Sequence, residues 1–157
     1  MRSSSSTQNQ PAYRLEPARE QDAAEIKSMV RGESLNPLGL DWRRFTVARS
    51  IADGELLGCV QIKPHGDGTH ELASLVVKEP QRGQGIGGRL VRRCQARHNG
   101  RLYLTCRGRL GSYYRQFGFE AVPIEDMPPY FKRIARLVQI FGVFLPQGDG
   151  LLVMCWN

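Results

Sequence analysis

The sequence predicts an α+β fold, one mixed and mostly antiparallel sheet flanked by helices, and three observations carry this. Two turn signals, Asp53-Gly54 and Pro64-His65-Gly66-Asp67-Gly68, separate short runs that read as strands. Segments with apolar residues at helical spacing lie on both sides of that hairpin region. A chain of 157 residues with 41% hydrophobic and 24% charged residues has material for one core, and it contains neither a repeat nor a linker long enough to divide it. A single domain over 12–157 is expected, preceded by a polar tail at 1–11.

The elements follow in order. Residues 1–11, MRSSSSTQNQP, lack the apolar stretch of a secretory signal and read as a disordered tail. A fragment of an organellar transit peptide is the alternative, and the expected location is the cytoplasm. Ala12 to Leu15 is a short strand, and Pro17 opens a helical pattern with Ala23, Ala24, Ile26, Met29 and Val30 on its apolar face. Asn36, Pro37 and Gly39 break the chain before a strand Phe45 to Ala48. The two turn signals then connect Leu56 to Lys63 and Glu71 to Val77, which makes three antiparallel strands in the middle of the chain. Pro80 and a glycine-rich turn lead into a helix ending near His98. Asn99-Gly100 turns into a strand Leu102 to Cys106, followed by a short helix Leu110 to Phe117 and a strand from Phe119. A helix from about Pro129 and a strand Leu151 to Trp156 close the chain.

Composition excludes an integral helical membrane protein, because no apolar run is long enough to span. Twenty-two Lys+Arg against 15 Asp+Glu give a net charge of +7, which predicts an anionic partner. Cys59, Cys94, Cys106 and Cys155 have no C-x-x-C spacing and fall in strands or a helix, so buried free thiols are expected rather than a disulfide framework.

The most informative segment is Arg82-Gly83-Gln84-Gly85-Ile86-Gly87-Gly88, between a predicted strand and a predicted helix. Unpaired N–H groups and the helix dipole make such a junction an anion site, and glycine lets the backbone come close to a phosphate. Gly83, Gly85 and Gly88 also satisfy a dinucleotide-binding G-x-G-x-x-G. That reading fails, because Lys78 to Arg82 separate the strand from the first glycine and no acidic residue lies around Leu102 to Arg107. A nucleotide P-loop fails as well, since Arg89-Leu90 stand where Lys then Ser or Thr is required.

Arg82-x-x-Gly85-x-Gly87 has the [Q/R]-x-x-G-x-[G/A] form, and Tyr114-Arg-Gln-Phe-Gly118-Phe119 supplies a Tyr-x-x-x-Gly-Phe signature downstream. With these two motifs, and with the same element order from Tyr13 to Trp156, the chain resembles the GNAT superfamily of N-acetyltransferases. The resemblance implies acetyl-coenzyme A as cosubstrate, no metal, and central strands that splay apart. Main-chain groups at Leu75, Val76 and Val77 would hold the pantetheine arm as a pseudo-strand and stabilise the developing oxyanion, although three aliphatics on a strand are equally core residues. Residues Arg82 to Gly88 would cradle the phosphates.

Deprotonating a lysine-like amine at pH 7 costs roughly 4 to 5 kcal/mol, so a base near the acceptor lowers the barrier. Glu71, 11 residues before Arg82, stands where several members of the superfamily carry a basic glutamate; a solvated strand-end carboxylate is the competing reading. His70 faces the other side of a regular strand. Tyr114 takes the place of the family's tyrosine acid, against a plain aromatic anchor, with Tyr113 as a substitute. Arg107 stands where many relatives have an asparagine that contacts the cofactor arm. Arg89, Arg92, Arg93 and Arg97 lie off the apolar arc of their helix and either reach cofactor phosphates or form a solvated face.

The segment 129–145 has Phe131, Ile134, Ala135, Val138, Phe141 and Leu145 at helical spacing, widened by Leu137, Ile140, Val143 and Phe144. Core packing or a homodimer interface is the favoured reading, against an acceptor-site lid or membrane-surface contact. The implied function is transfer of an acetyl group to a primary amine of a protein or small molecule by direct ternary-complex transfer. The alternatives are a non-catalytic acyl-coenzyme A sensor and a nucleic-acid-binding protein. Nucleic acid is disfavoured because Pro80 to Phe119 holds nine arginines and no acidic residue, while the remainder holds 13 basic and 15 acidic residues. The excess charge sits in the segment assigned to a polyphosphorylated cofactor.

Overall fold

A computed structural model describes residues 12–33, 35–141 and 149–157. The expected tail at 1–11, and residues 142–145 of the expected apolar segment with its Val143, Phe144 and Leu145, lie outside the described residues. Strands β1 (Tyr13–Pro17), β2 (Phe45–Ser50), β3 (Leu56–Pro64), β4 (His70–Val77), β5 (Leu102–Arg107), β6 (Glu120–Ala121) and β7 (Leu151–Trp156) form one sheet in the order β1-β2-β3-β4-β5-β7-β6. All neighbours are antiparallel except β4 and β5. Helices α1 (Ala23–Gly32), α2 (Ile86–Arg97), α3 (Gly111–Arg115) and α4 (Pro129–Phe141) cover it. The expected α+β class, mixed sheet and flanking helices are therefore observed. Among the described residues no helix is long and apolar enough to cross a membrane.

Two faces of the sheet are buried separately. Ile86, Leu90, Val91 and Cys94 of α2 pack on Val60, Leu72, Leu102 and Leu104, and Tyr114 of α3 and Phe117 just after it join that cluster. Ile26, Met29 and Val30 of α1 pack on Phe45, Val47, Cys59 and Val76. Phe131 and Ala135 of α4 pack on Tyr103 and Val153. Helices α1 and α4 thus leave the middle of their face uncovered, above β4 and β5.

The central irregularity lies in β4. Cys59 of β3 pairs with Val76, but Gln61 pairs with Ala73, so Ser74 and Leu75 form a bulge. Ser74 sits at φ +56°, a left-handed conformation that is uncommon outside glycine. Its hydroxyl accepts from Gln61 Nε2 at 3.1 Å, which helps hold the bulge in place. Beyond it β4 diverges from its parallel neighbour: the only β4–β5 pair is Glu71 with Tyr103, whereas β5 pairs with β7 along its whole length. This is the expected splay.

Several elements differ from the sequence reading. Pro17 closes β1 rather than opening a helix; it pairs with Thr46 at the sheet's edge, where a missing N–H is tolerated, and α1 starts only at Ala23. The antiparallel run has four strands, because β1 joins β2. The strand expected from Phe119 shrinks to two residues, with Phe119 itself buried under the α2 face. Of the apolar residues in 129–145, Phe131 and Ala135 are buried, whereas Leu137, Ile140 and Phe141 are 51%, 73% and 69% exposed. Core packing accounts only for the first group, since a single sheet can cover only one side of α4. Cys59, Cys94 and Cys106 are buried free thiols as expected, and Cys155 is half-buried.

The β1–β2 edge is held by a buried charge. Arg49 is 6% exposed and donates from Nη2 to Asp22 Oδ2 at 2.7 Å, from Nη1 to Gly54 O at 3.0 Å, and from Nε to Glu16. Burial works to raise the Glu16 carboxyl, but hydrogen bonds from Arg49 and Arg14 prevail and hold it below the usual carboxylate range. A depressed folded-state value contributes stability that is present above the unfolded carboxylate range and lost as pH falls through the folded one. Arg49→Leu is therefore expected to lower unfolding stability by about 3 kcal/mol at neutral pH, because Asp22 is left buried and unpaired. The difference from wild type should shrink as acid protonates the carboxylates. Urea denaturation of both proteins at pH 7 and pH 4 measures this.

Candidate active site

The divergence of β4 from β5 opens a groove of about 1180 Å³ across the sheet. Glu71 and Thr105 lie at its floor; Gly85 to Gly88 with Tyr113 line one end, and Leu38 with Tyr130 line the other. Leu75, Val76 and Val77 form the β4 side, so the sequence-predicted backbone stretch and the glycine turn border one cavity.

At the glycine end the four glycines have different reasons for being there. Gly83 and Gly85 have φ of +79° and +78°, and Gly85 is the N-cap of α2. No side chain caps this helix and no acidic residue stands in its first turn, so its first N–H groups are available to an anion. A Cβ on Gly87 would come within 2.9 Å of the Tyr113 hydroxyl, and one on Gly88 within 3.1 Å of the Phe117 ring. Those two glycines admit Tyr113 of α3 and Phe117 just beyond it to the α2 N-terminus. Arg82 braces the turn: its Nε donates to Val77 O at 2.9 Å and its Nη2 binds Glu33 at the end of α1.

Glu71 is not a solvated strand-end carboxylate. It is 7% exposed, accepts a hydrogen bond from Thr105 Oγ1 at 3.0 Å, and lies 2.8 Å through Oε2 from His65 Nε2. The His65 ring stacks on Tyr130 at 3.5 Å between centroids. His65, Thr105 and Tyr130 are absent from the sequence reading. His65 was legible only in the hairpin register: Lys63 pairs with Glu71, so alternation along β3 carries residue 65 to the Glu71 face. His70 instead lies beside His98, 5.0 Å between rings.

Tyr114 and Tyr113 both line the groove. Tyr114 packs on Phe119, and burial pushes its phenol well up from the ordinary value. Tyr113 is raised by burial as well, and it faces the α2 N-terminus through Gly87. Cys106 also borders the groove, its thiol pushed up to about 11 by burial and so protonated at neutral pH. Among the arginines, Arg82, Arg107 and Arg109 line the cavity. Arg89 does not; it lies 5.2 Å over the Tyr13 ring and donates to its hydroxyl at 3.4 Å. Arg92 lies over Phe117, also outside the lining. None of Arg89, Arg92, Arg93 and Arg97 lines the cavity, so of the two readings given for the α2 arginines the described structure favours a face outside the groove.

A long thioester cosubstrate fits these features. The cavity is large, one end presents helix N–H groups with no side-chain cap and no acidic residue in the first turn, and β4 offers a backbone edge that β5 leaves unpaired beyond Glu71.

Comparison with known proteins places the fold. The family model described as Acetyltransferase (GNAT) domain matches residues 41–121, and the chain belongs to this family. No curated protein sequence matches the chain. Among solved structures it is similar to N-acetylglutamate synthase from Neisseria gonorrhoeae, complexed with coenzyme A and N-acetyl-glutamate, at 18% identity and TM-score 0.67. The match covers 91% of this chain but 34% of that one, so the chain spans about a third of that enzyme's length. It is also similar to a GNAT-family acetyltransferase from Staphylococcus aureus, at 14% identity and TM-score 0.63, covering 93% and 99% of the two chains. Arabidopsis thaliana Naa50 in complex with the bisubstrate analogue CoA-Ac-MVNAL matches at 16% identity and TM-score 0.60, covering 94% and 99%.

The glycine cradle is open to test. A Cβ at Gly85 would meet open space, so Gly85→Glu is expected to fold at a backbone cost of about 1 kcal/mol. It places a negative charge on the α2 N-terminus, and coenzyme A affinity by calorimetry should fall at least tenfold with the circular dichroism spectrum unchanged. Unaltered affinity would remove the turn as the phosphate cradle.

Proposed function

We propose that this chain transfers the acetyl group of acetyl-coenzyme A to a primary amine in a single ternary complex, with Glu71 as base and Tyr114 as the donor to the departing sulfur. The observation that carries this reading is the single β4–β5 pair. It sets a buried carboxylate at the point where the two strands part and an anion cradle at the far end of the same groove. Acetyl-coenzyme A supplies the activated thioester; everything else is work for the side chains and backbone of this protein.

Residues Gly83 to Gly88 receive the phosphates, and the free β4 edge at Leu75 to Val77 orients the arm and offers N–H dipoles to the carbonyl. Holding amine and thioester together in one groove contributes much of the rate. Glu71 takes the proton that the amine must lose. At this end of the groove Lys63 is engaged with Leu38 O, and Glu71 is the carboxylate offered to a cationic amine, whereas Glu33 is bound to Arg82 at the glycine turn. A buried phenol raised above its ordinary value lies far above a thiol, so Tyr114 stabilises the leaving thiolate by a hydrogen bond rather than by complete proton transfer. Beyond Glu71 the groove continues between Leu38 and Tyr130, which gives room for an acceptor larger than a free amine, whether a protein N-terminus, a lysine side chain or a small molecule.

Release of free thiol from acetyl-coenzyme A, measured over a panel of peptides, amino acids and polyamines with mass detection of the product, tests the reaction. Glu71→Gln should lower kcat roughly 100-fold and Tyr114→Phe roughly tenfold, with coenzyme A affinity kept in both. Tight coenzyme A binding without transfer to any acceptor would support a sensor in place of an enzyme.

A further inference from the structure

We infer that His65 is the positioning residue for Glu71, an inference that rests on Glu71 being the base. Its imidazole lies behind the carboxylate, with a side chain 5% exposed, and does not line the groove. It therefore acts on the acceptor only through Glu71. With Nε2 protonated, the ring donates to Oε2 at 2.8 Å while the Thr105 hydroxyl donates to Oε1 at 3.0 Å. Both oxygens are then oriented, and one Glu71 rotamer faces the groove.

The ring is itself fixed from two directions. It lies flat on Tyr130 with planes 18° apart, and the Phe131 ring meets it edge-on at 5.7 Å. Two residues further along the turn, Asp67 Oδ2 accepts from the Tyr130 backbone N–H at 2.9 Å, which ties the first turn of α4 to the β3–β4 hairpin. The hairpin, the α4 wall of the acceptor cleft and the carboxylate are thus fastened at one point. The charged and titratable groups around the pair are Lys63 of β3, Asp67 of the turn, Tyr103 of β5, and Tyr130 and Arg133 of α4.

A donor to the carboxylate holds it in one orientation, so removing it lets Glu71 turn away from the acceptor amine. His65→Phe preserves the stacking ring and deletes the donor; His65→Gln returns an N–H near the Nε2 position and deletes the ring. Acetyl transfer by the full chain is measured for both variants beside Glu71→Gln. His65→Phe is expected to lose at least tenfold in kcat, with KM for acetyl-coenzyme A unchanged. His65→Gln should recover most of kcat. Wild-type kcat in His65→Phe, or equal losses in the two variants, would reduce His65 to packing. Full activity in Glu71→Gln would instead overturn the base assignment itself.

If His65→Phe does not fold, ring NMR of the remaining proteins decides the matter. The His65 Nε2–H resonance should lie downfield in wild type, where it donates to the Glu71 carboxylate, and move upfield in Glu71→Gln, where only a neutral acceptor remains. An unmoved resonance would overturn the pairing.

Discussion

The site depends on one failure of strand pairing. Parallel β4 and β5 meet at Glu71 and Tyr103 and then separate, because the bulge at Ser74 and Leu75 bends β4 while β5 stays paired to β7. An ordinary ladder here would satisfy both backbones and leave no opening. The bulge instead gives up sheet hydrogen bonds to create a groove with a free backbone edge, and the surrounding core keeps it from collapsing. Val60, Leu72 and Leu104 are buried under α2 on one face, and Val76 is buried under α1 on the other. The positive φ of Ser74 and the buried Oε1 of Gln61, which has no partner among the described residues, mark where the local rules are broken.

Charge is distributed to suit that opening. Among the described residues the buried charged groups are paired: Arg49 with Asp22 and Glu16 at the sheet's edge, Glu71 with His65 and Thr105 at the groove floor. The surplus of positive charge is confined to the stretch from Pro80 to Phe119, and the groove draws on Arg82, Arg107 and Arg109 from it. Arg89 and Arg92 of α2 lie over Tyr13 and Phe117 in cation–π contacts, so only part of the local charge faces the cavity.

Much of the fold was legible because its signals are local. The Asp53-Gly54 turn, the helical arc of Ile86, Leu90, Val91 and Cys94, and the glycine turn each state their structure within a few residues. Pro17 misled because its φ suits a helix start as well as an edge strand, and only the pairing with Thr46 decides between them. The apolar excess of α4 could not be divided into inner and outer residues without the position of β5 and β7 beneath it. Glu71 was found by its distance from the glycine turn, but its burial and its partners were hidden: Thr105 lies 34 residues away along the chain, and His65 comes across a hairpin.

By itself the sequence determined the class of the fold, the two motifs that place the chain in its family, and the region where an anionic ligand belongs. These follow from periodicity and glycine backbone freedom, which act over one or two turns of chain, and from the clustering of arginine between Pro80 and Phe119, which makes that stretch the proposed anion region. Tertiary structure decided which residues share the groove. It assigned Gly87 and Gly88 to aromatic contacts rather than to backbone strain, removed Arg89 and Arg92 from the cavity, and brought His65 behind Glu71. Those outcomes depend on strand register and on the bulge, and a shift of one residue in either would turn every side chain concerned to the opposite face of the sheet.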